Sequence, residues 1–288
     1  MQGEISQVNG VLLWHLGQGQ GIPIVLIHGG PGAYDYLAPV ADLLDKSRFQ
    51  VIRYEQRGSW RSEKKGPYDI ATFIEDLEQL RIYLGLKKWI VCGHSWGASL
   101  ALAYSTKYYT SVKALIYISG TGVNPAWHAD YRVNRLNRMS PADREEYIHL
   151  RSILETLEGA EGEHTKDRLR ELSIRADLFN QENFDKLPRT DGQFVNNKVN
   201  QEIGSECTEY FLNEEFLKAI STHSFPSLFV HGGTDPRPYQ YVYELASNMK
   251  NSEFVVIPNA GHYPWLDHPV ALGEQINEFL AKKVLSER

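Results

Sequence analysis

The run Gly93-His94-Ser95-Trp96-Gly97 sets a serine between two glycines at G-x-S-x-G spacing. The apolar residues Trp89 to Cys92 lead into it, and a run of small residues follows. A strand turning sharply into a helix there would expose the Ser95 hydroxyl, and the glycines would let backbone approach without a Cβ clash. The helix N-terminus would turn its positive end toward developing negative charge. The chemistry this predicts is nucleophilic attack on an acyl carbon. A serine hydroxyl is weak at neutral pH and needs a base. His262 is the expected base, after Phe254-Val255-Val256-Ile257-Pro258 and the loop Asn259-Ala260-Gly261. His268 precedes Pro269 and reads as the start of the last helix. Asp235 closes the run Leu228 to Asp235 and is the expected acid, holding the imidazole tautomer and stabilising the imidazolium. Its other reading is an N-cap for the helix that follows. Asp267 is too close to His262 in the chain to orient it easily.

An oxyanion formed at the acyl carbon needs two N–H donors. One is expected on Trp96, directly after the serine. The other is expected on Gly30, in His28-Gly29-Gly30-Pro31-Gly32, because Pro31 has no N–H to give. His28 is expected to brace that loop.

These residues must be held by elements that the apolar pattern lays out. Strands are expected at Val11–Leu16, Ile22–His28, Phe49–Tyr54, Trp89–Cys92, Val112–Ser119, Ser227–Val230 and Phe254–Ile257. Helices are expected at Tyr36–Leu44, Ile70–Leu84, Ser95–Tyr108, Tyr239–Met249 and Val270–Val284. The alternation predicts an α/β chain with a mostly parallel sheet flanked by helices on both faces. From Pro125 to Ile220 the rhythm stops and the pattern is helical, polar and charged. Residues 1–120 and 221–288 are therefore expected to form the core, and 121–220 an inserted helical unit.

The chain has 288 residues and a net charge of -6, which argues against nucleic acid as a partner. Residues 121–220 carry 19 acidic and 13 basic side chains, so they hold the whole excess. This reads either as a solvated helical surface or as a field drawing in a cationic substrate. The N-terminus has no signal-peptide pattern, and no apolar run approaches the ~20 residues of a membrane helix. A cytoplasmic location with no membrane partner is the expectation, with Cys92 and Cys207 as free thiols. No metal or other cofactor is implied, since the histidines are scattered and no H-E-x-x-H or paired-cysteine spacing occurs. Oligomeric state is not legible.

The motifs together resemble the proline iminopeptidase (prolyl aminopeptidase) family of α/β-hydrolases. The resemblance rests on His28 to Gly32, on Glu55-Gln56-Arg57-Gly58-Ser59 with Arg61-Ser62, and on Gly93 to Gly97 with tryptophan after the serine. It covers the core well and the insertion poorly. It implies the α/β-hydrolase fold, an inserted helical cap closing over the site, and removal of an N-terminal residue, often proline, from short peptides. The sequence departs from the family at Glu55 for aspartate, at Trp60 for glycine, and at His231 to Asp235 around the acid. Family aminopeptidases bind the free amine with cap glutamates. The place expected for these is Val199 to Leu212, with Glu202, Glu206 and Glu209. They read either as a wet acidic face or as an amine site relieving their mutual repulsion. Val199, Ile203, Cys207 and Tyr210 share the apolar face. Arg57 is expected to anchor loops near the site. Trp60, Trp96, Trp127 and Tyr131 read either as core or as the lining of an apolar substrate pocket. Three activities compete: an aminopeptidase on small peptides, an esterase or amidase on a small uncharged substrate, and a ligand receptor that keeps the triad without turnover.

Overall fold

The computed structural model describes residues 3–187 and 194–286. One sheet runs through it, built from β1 (Glu4–Val8), β2 (Val11–Gln18), β3 (Ile22–Ile27), β4 (Phe49–Tyr54), β5 (Trp89–His94), β6 (Val112–Ile118), β7 (Ser227–Gly232) and β8 (Ser252–Ile257). Their spatial order is β1-β2-β4-β3-β5-β6-β7-β8. The pairs β1–β2 and β2–β4 are antiparallel, and all pairs from β4 to β8 are parallel. The central strands β3, β5, β6 and β7 are buried almost throughout, as strands covered on both faces must be. The apolar pattern places the first strand at Val11, and the structure adds β1 ahead of it. Asn9 (φ 48°) and Gly10 (φ 72°) form the hairpin between β1 and β2. Asn-Gly is the signature of a two-residue turn with both positions left-handed, and it was the available signal.

Between the strands run α1 (Ala38–Asp42), α2 (Ile70–Tyr83) and α3 (Trp96–Lys107), the first shorter than the pattern predicted. The chain between β6 and β7 forms α4 (Trp127–Arg138), α5 (Pro141–Ile153), α6 (Gly159–Asp177), α7 (Asn197–Leu212) and α8 (Glu214–Thr222). The fold closes with α9 (Gln240–Ser247), α10 (Pro264–Asp267) and α11 (Pro269–Leu280). One face of the sheet packs on α2, α3 and α9 through Phe73, Leu77, Leu100 and Val242. The other packs on α1 and α11 through Val40, Leu272, Ile276 and Phe279.

The inserted helices divide into two kinds of packing. Met139, Tyr147, Leu169, Leu172 and Ala176 give α5, α6 and the end of α4 a small core of their own. In α7 and α8, Val199, Ile203, Phe211, Phe216 and Ile220 are buried in the main core instead. The apolar stripe read on α7 therefore faces the α/β body.

Candidate active site

β3 lies between β4 and β5, so consecutive connections leave it in opposite directions. Such a reversal opens a crevice at the carboxyl ends of the strands. The loops after β3 and β5 meet there. Ser95 joins β5 to α3 at φ 57° and ψ −125°, a conformation that costs a non-glycine residue about 1–3 kcal/mol. The surroundings enforce it. A Cβ on Gly93 would lie 2.0 Å from the Gly97 carbonyl oxygen, and one on Gly97 would lie 2.1 Å from that of Ile27. The Ser95 N–H is tied to the Ile118 carbonyl at 3.0 Å.

His262 and Asp235 stand on the loops after β8 and β7. His262 Nδ1 is 2.6 Å from Asp235 Oδ2, with both side chains buried. Burial alone would raise the Asp235 pKa, but His262 and Arg237 outweigh it and hold the carboxyl well below the usual range. With Nδ1 engaged by a carboxylate, Nε2 is the ring nitrogen left to meet a hydroxyl. His262 and Ser95 line the same cavity, about 580 Å³ in volume. Arg237 was not foreseen. Its guanidinium lies 3.3 Å from Asp235 Oδ1 and 3.1 Å from Asp177 Oδ1, and it donates to the Tyr131 hydroxyl at 3.1 Å. The expected acid is thus linked to the end of α6.

A second connection was also invisible in the sequence. The Gly29 N–H donates to the Tyr36 hydroxyl at 2.8 Å, and that hydroxyl lies 2.7 Å from His94 Nδ1. His94 Nε2 lies 2.8 Å from the His262 carbonyl oxygen. One polarity satisfies every group: Tyr36 donates to Nδ1, and a neutral His94 donates from Nε2 to the carbonyl. Burial, followed by the His262 charge, lowers the His94 pKa well below its ordinary value, consistent with the neutral ring. This chain of bonds joins the Gly29 loop, the Ser95 turn and the His262 loop.

Gly30 (φ 55°) lines the cavity beside Ser95, and its N–H has no partner among the described residues. Trp96 is the first residue of α3, so its N–H has no partner within the helix. The Trp96 indole turns inward and donates to Gln56 Oε1 at 3.0 Å. Gln56 braces the Gly30 loop in turn: its side chain donates to the His28 carbonyl at 2.7 Å, and its N–H to His28 Nε2 at 3.2 Å. Buried Glu55 accepts from Arg61, at 2.6 Å from its backbone N–H and 2.7 Å from Nη2. Arg57 makes two bonds of 2.5 Å to Asp76 on α2, an anchor for the loop rather than a wall of the cavity.

The remaining expected residues fall in two groups. Tyr131 lines the cavity, and Trp127 lines a second one of about 510 Å³ that shares Gly30, Ser95, Tyr131, Arg135 and Arg237 with the first. Trp96 lines the second cavity too. Trp60 lines neither; it is 42% exposed and packs on Phe194. Of the α7 glutamates expected at a substrate amine, none lines either cavity. Glu206 Oε2 accepts from the Ile70 N–H at 2.8 Å and so satisfies an orphan donor at the start of α2. Glu202 pairs with Lys198 at 3.7 Å, and Glu209 lines a separate surface hollow with Glu206. The cause is the docking of α7 on the core, which turns its acidic edge to α2 and solvent. Asp267 is not an orienter of the His262 ring. It accepts from the Gly261 N–H at 2.9 Å and from Asn183 at 2.9 Å, bracing the loop from below. His268 is the N-cap residue of α11.

Among the described residues no cluster of three His, Cys, Asp or Glu has metal-binding geometry, and no helix is long and apolar enough to cross a membrane. Cys92 and Cys207 are free, and burial pushes each thiol up to about 12.

Comparison with known proteins follows the same lines. Residues 22–269 match the family model described as alpha/beta hydrolase fold. The proline iminopeptidase of Heyndrickxia coagulans is 28% identical over 278 residues, 91% of this chain and 91% of that one. The proline iminopeptidase of Saccharolobus solfataricus is 27% identical over 267 residues, 89% and 84% of the two chains. Among solved structures, the proline iminopeptidase of Mycobacterium smegmatis superposes with a TM-score of 0.72 at 18% identity, covering 100% of each chain. At that identity the likeness speaks for the fold.

Proposed function

The chain belongs to the α/β-hydrolase fold family, and on that premise we propose that it is a serine hydrolase with Ser95, His262 and Asp235 as its triad. The observation that supports this most is the 2.6 Å contact between His262 Nδ1 and a buried, ionised Asp235, beside a cavity shared with Ser95. In this reading Ser95 Oγ attacks the substrate carbonyl while His262 Nε2 takes its proton. The N–H groups of Gly30 and Trp96 receive the oxyanion. Collapse of the tetrahedral intermediate expels the leaving group, which takes the proton from His262 and leaves an acyl-enzyme. A water, deprotonated by His262, then attacks the acyl carbon and frees Ser95. The helices between β6 and β7 serve as the cap.

The finer reading, release of an N-terminal proline or small apolar residue from short peptides, is supported by the relatives of that name. The cavity favours the other reading, an esterase or amidase. An aminopeptidase needs an acidic group to receive the free amine. Among the described residues, the acidic one on the wall of the first cavity is Asp177, already paired with Arg237 at 3.1 Å.

Ser95→Ala should abolish turnover of every substrate the native protein hydrolyses, with folding intact by circular dichroism. Retained turnover would refute the assignment. Proline and alanine anilides assayed beside short-chain nitrophenyl esters then separate the two finer readings.

A further inference from the structure

The walls of the cavity carry a charge opposite to that of the segment that supplies them. On α4, His128, Tyr131, Arg132 and Arg135 recur at the i, i+3, i+4, i+7 spacing of one helix face, and all four line the first cavity. On α5, Tyr147 and Arg151 do the same one turn apart. On α6, Arg170, Ser173, Ile174 and Asp177 repeat the spacing. Asp177 is matched by Arg237, and Arg170 by Asp167 at 2.5 Å. Arg132, Arg135 and Arg151 have no carboxylate within ion-pair distance among the described residues. Three cations without a carboxylate partner among the described residues thus line one open cavity in a chain whose net charge is -6.

Arg135 is the best placed of the three. It lines both cavities that meet at Ser95. Its guanidinium is held between two rings, 4.7 Å from the centroid of Tyr131 and 5.0 Å from that of Tyr147. It donates to their hydroxyls at 3.2 Å and 2.6 Å. A guanidinium has five N–H donors, so these two bonds leave three. Buried Nε is among those without a partner among the described residues. A fixed, partly desolvated planar fork with donors to spare fits a bidentate anion such as a carboxylate. His128, on the same face, has its pKa lowered by burial first and then by the charge of neighbouring Arg132.

We propose that the substrate is an ester or amide bearing a carboxylate, bound by Arg135 with Arg132 and Arg151 while its scissile carbonyl lies at Ser95. This rests on the serine-hydrolase reading and replaces the small uncharged substrate with an anionic one. A free amine would meet repulsion in the same cavity.

The test compares kcat/KM for mono-nitrophenyl glutarate with that for the uncharged nitrophenyl ester of matched chain length. The expected ratio is about tenfold or more in favour of the anion, as a charge-assisted bidentate contact provides. It should fall as salt rises from about 0.01 to about 1 M, over which the Debye length shrinks from about 30 to about 3 Å. Arg135→Gln should lower the ratio about tenfold. Should that variant misfold through loss of its tyrosine contacts, the exposed Arg132→Gln and Arg151→Gln should each lower the ratio about two- to threefold at low salt. A native ratio near one, or a preference for a cationic amino-acyl ester, overturns the proposal while leaving Ser95 as nucleophile. If neither ester turns over, Ser95 labelling by a fluorophosphonate decides. Labelling slowed by glutarate but not by its diamide supports the anion site, and labelling not slowed by glutarate overturns it. No labelling of the folded protein removes the serine-hydrolase reading, and this inference with it.

Discussion

The floor and the roof of the cavity are held by different means. In the floor, the loops after β3, β4 and β5 are locked by buried polar groups with specified partners: His28 to Gln56, Glu55 to Arg61, Arg57 to Asp76, Tyr36 to His94. In the roof, α4 and α5 present Arg132 and Arg151 to solvent with no carboxylate partner among the described residues, above a small separate core. A reacting constellation tolerates little misplacement and must be over-determined by its surroundings. A roof that selected substrate by charge, as proposed above, would need only the right face turned inward. The comparison teaches that the two are held independently at α4 and α5: Arg132 and Arg151 can be replaced without touching the bonds that shape the Ser95 turn.

That contrast can be broken at three points. The largest effect belongs to the floor. Asp235→Asn should lower kcat by about 10⁴ with the fold retained, because the His262 tautomer is no longer enforced. The same variant tests the pH dependence of stability. The native Asp235 pKa lies below its unfolded value, so its stabilisation is complete above about pH 3.9 and lost as pH falls through the depressed native value. Thermal melts across the acid range should show that loss in the native protein and less of it in Asp235→Asn. Next comes the brace behind the floor. Asp76→Ala leaves the buried Arg57 charge unpaired and should cost about 3–5 kcal/mol in urea unfolding. The double variant Arg57→Met, Asp76→Leu should recover most of it. The smallest effect belongs to α7. Glu206→Gln weakens only a contact to the first turn of α2 and should cost about 0.3–1 kcal/mol. Its kinetics toward amine-bearing anilides should match those of the native protein. A selective loss on those substrates would return α7 to the substrate site.

The floor was legible in the sequence for the same reason that it is rigid. A strand-to-helix turn at Ser95, a glycine loop at Gly30 and a late loop at His262 are local patterns, and the chemistry dictates their residue types. The links between them were not legible. Tyr36 and His94 lie 58 positions apart, and neither has a spacing that names the other. The roof was less legible for a further reason. A helical wheel shows that Glu202, Glu206 and Glu209 flank an apolar stripe, but not what that stripe will dock on. Once Val199 and Ile203 are buried in the main core, the glutamates must face α2 and solvent. The same limit hid the arginines. Counting charges over residues 121–220 gave an acidic segment, while its cavity-facing side is cationic. Composition sums over a helix, and function reads one side of it.

The carbonyl of Asp177, the last residue of α6, accepts the His262 N–H at 2.7 Å. A Cβ on Gly261 would lie 2.3 Å from that same oxygen, so the two backbones are in close contact. The C-terminal end of α6 therefore cannot lift without drawing His262, the proposed general base, with it. Any opening at that end also displaces the His262 loop. The end of a helix in the roof and the loop that carries the imidazole therefore move as one piece.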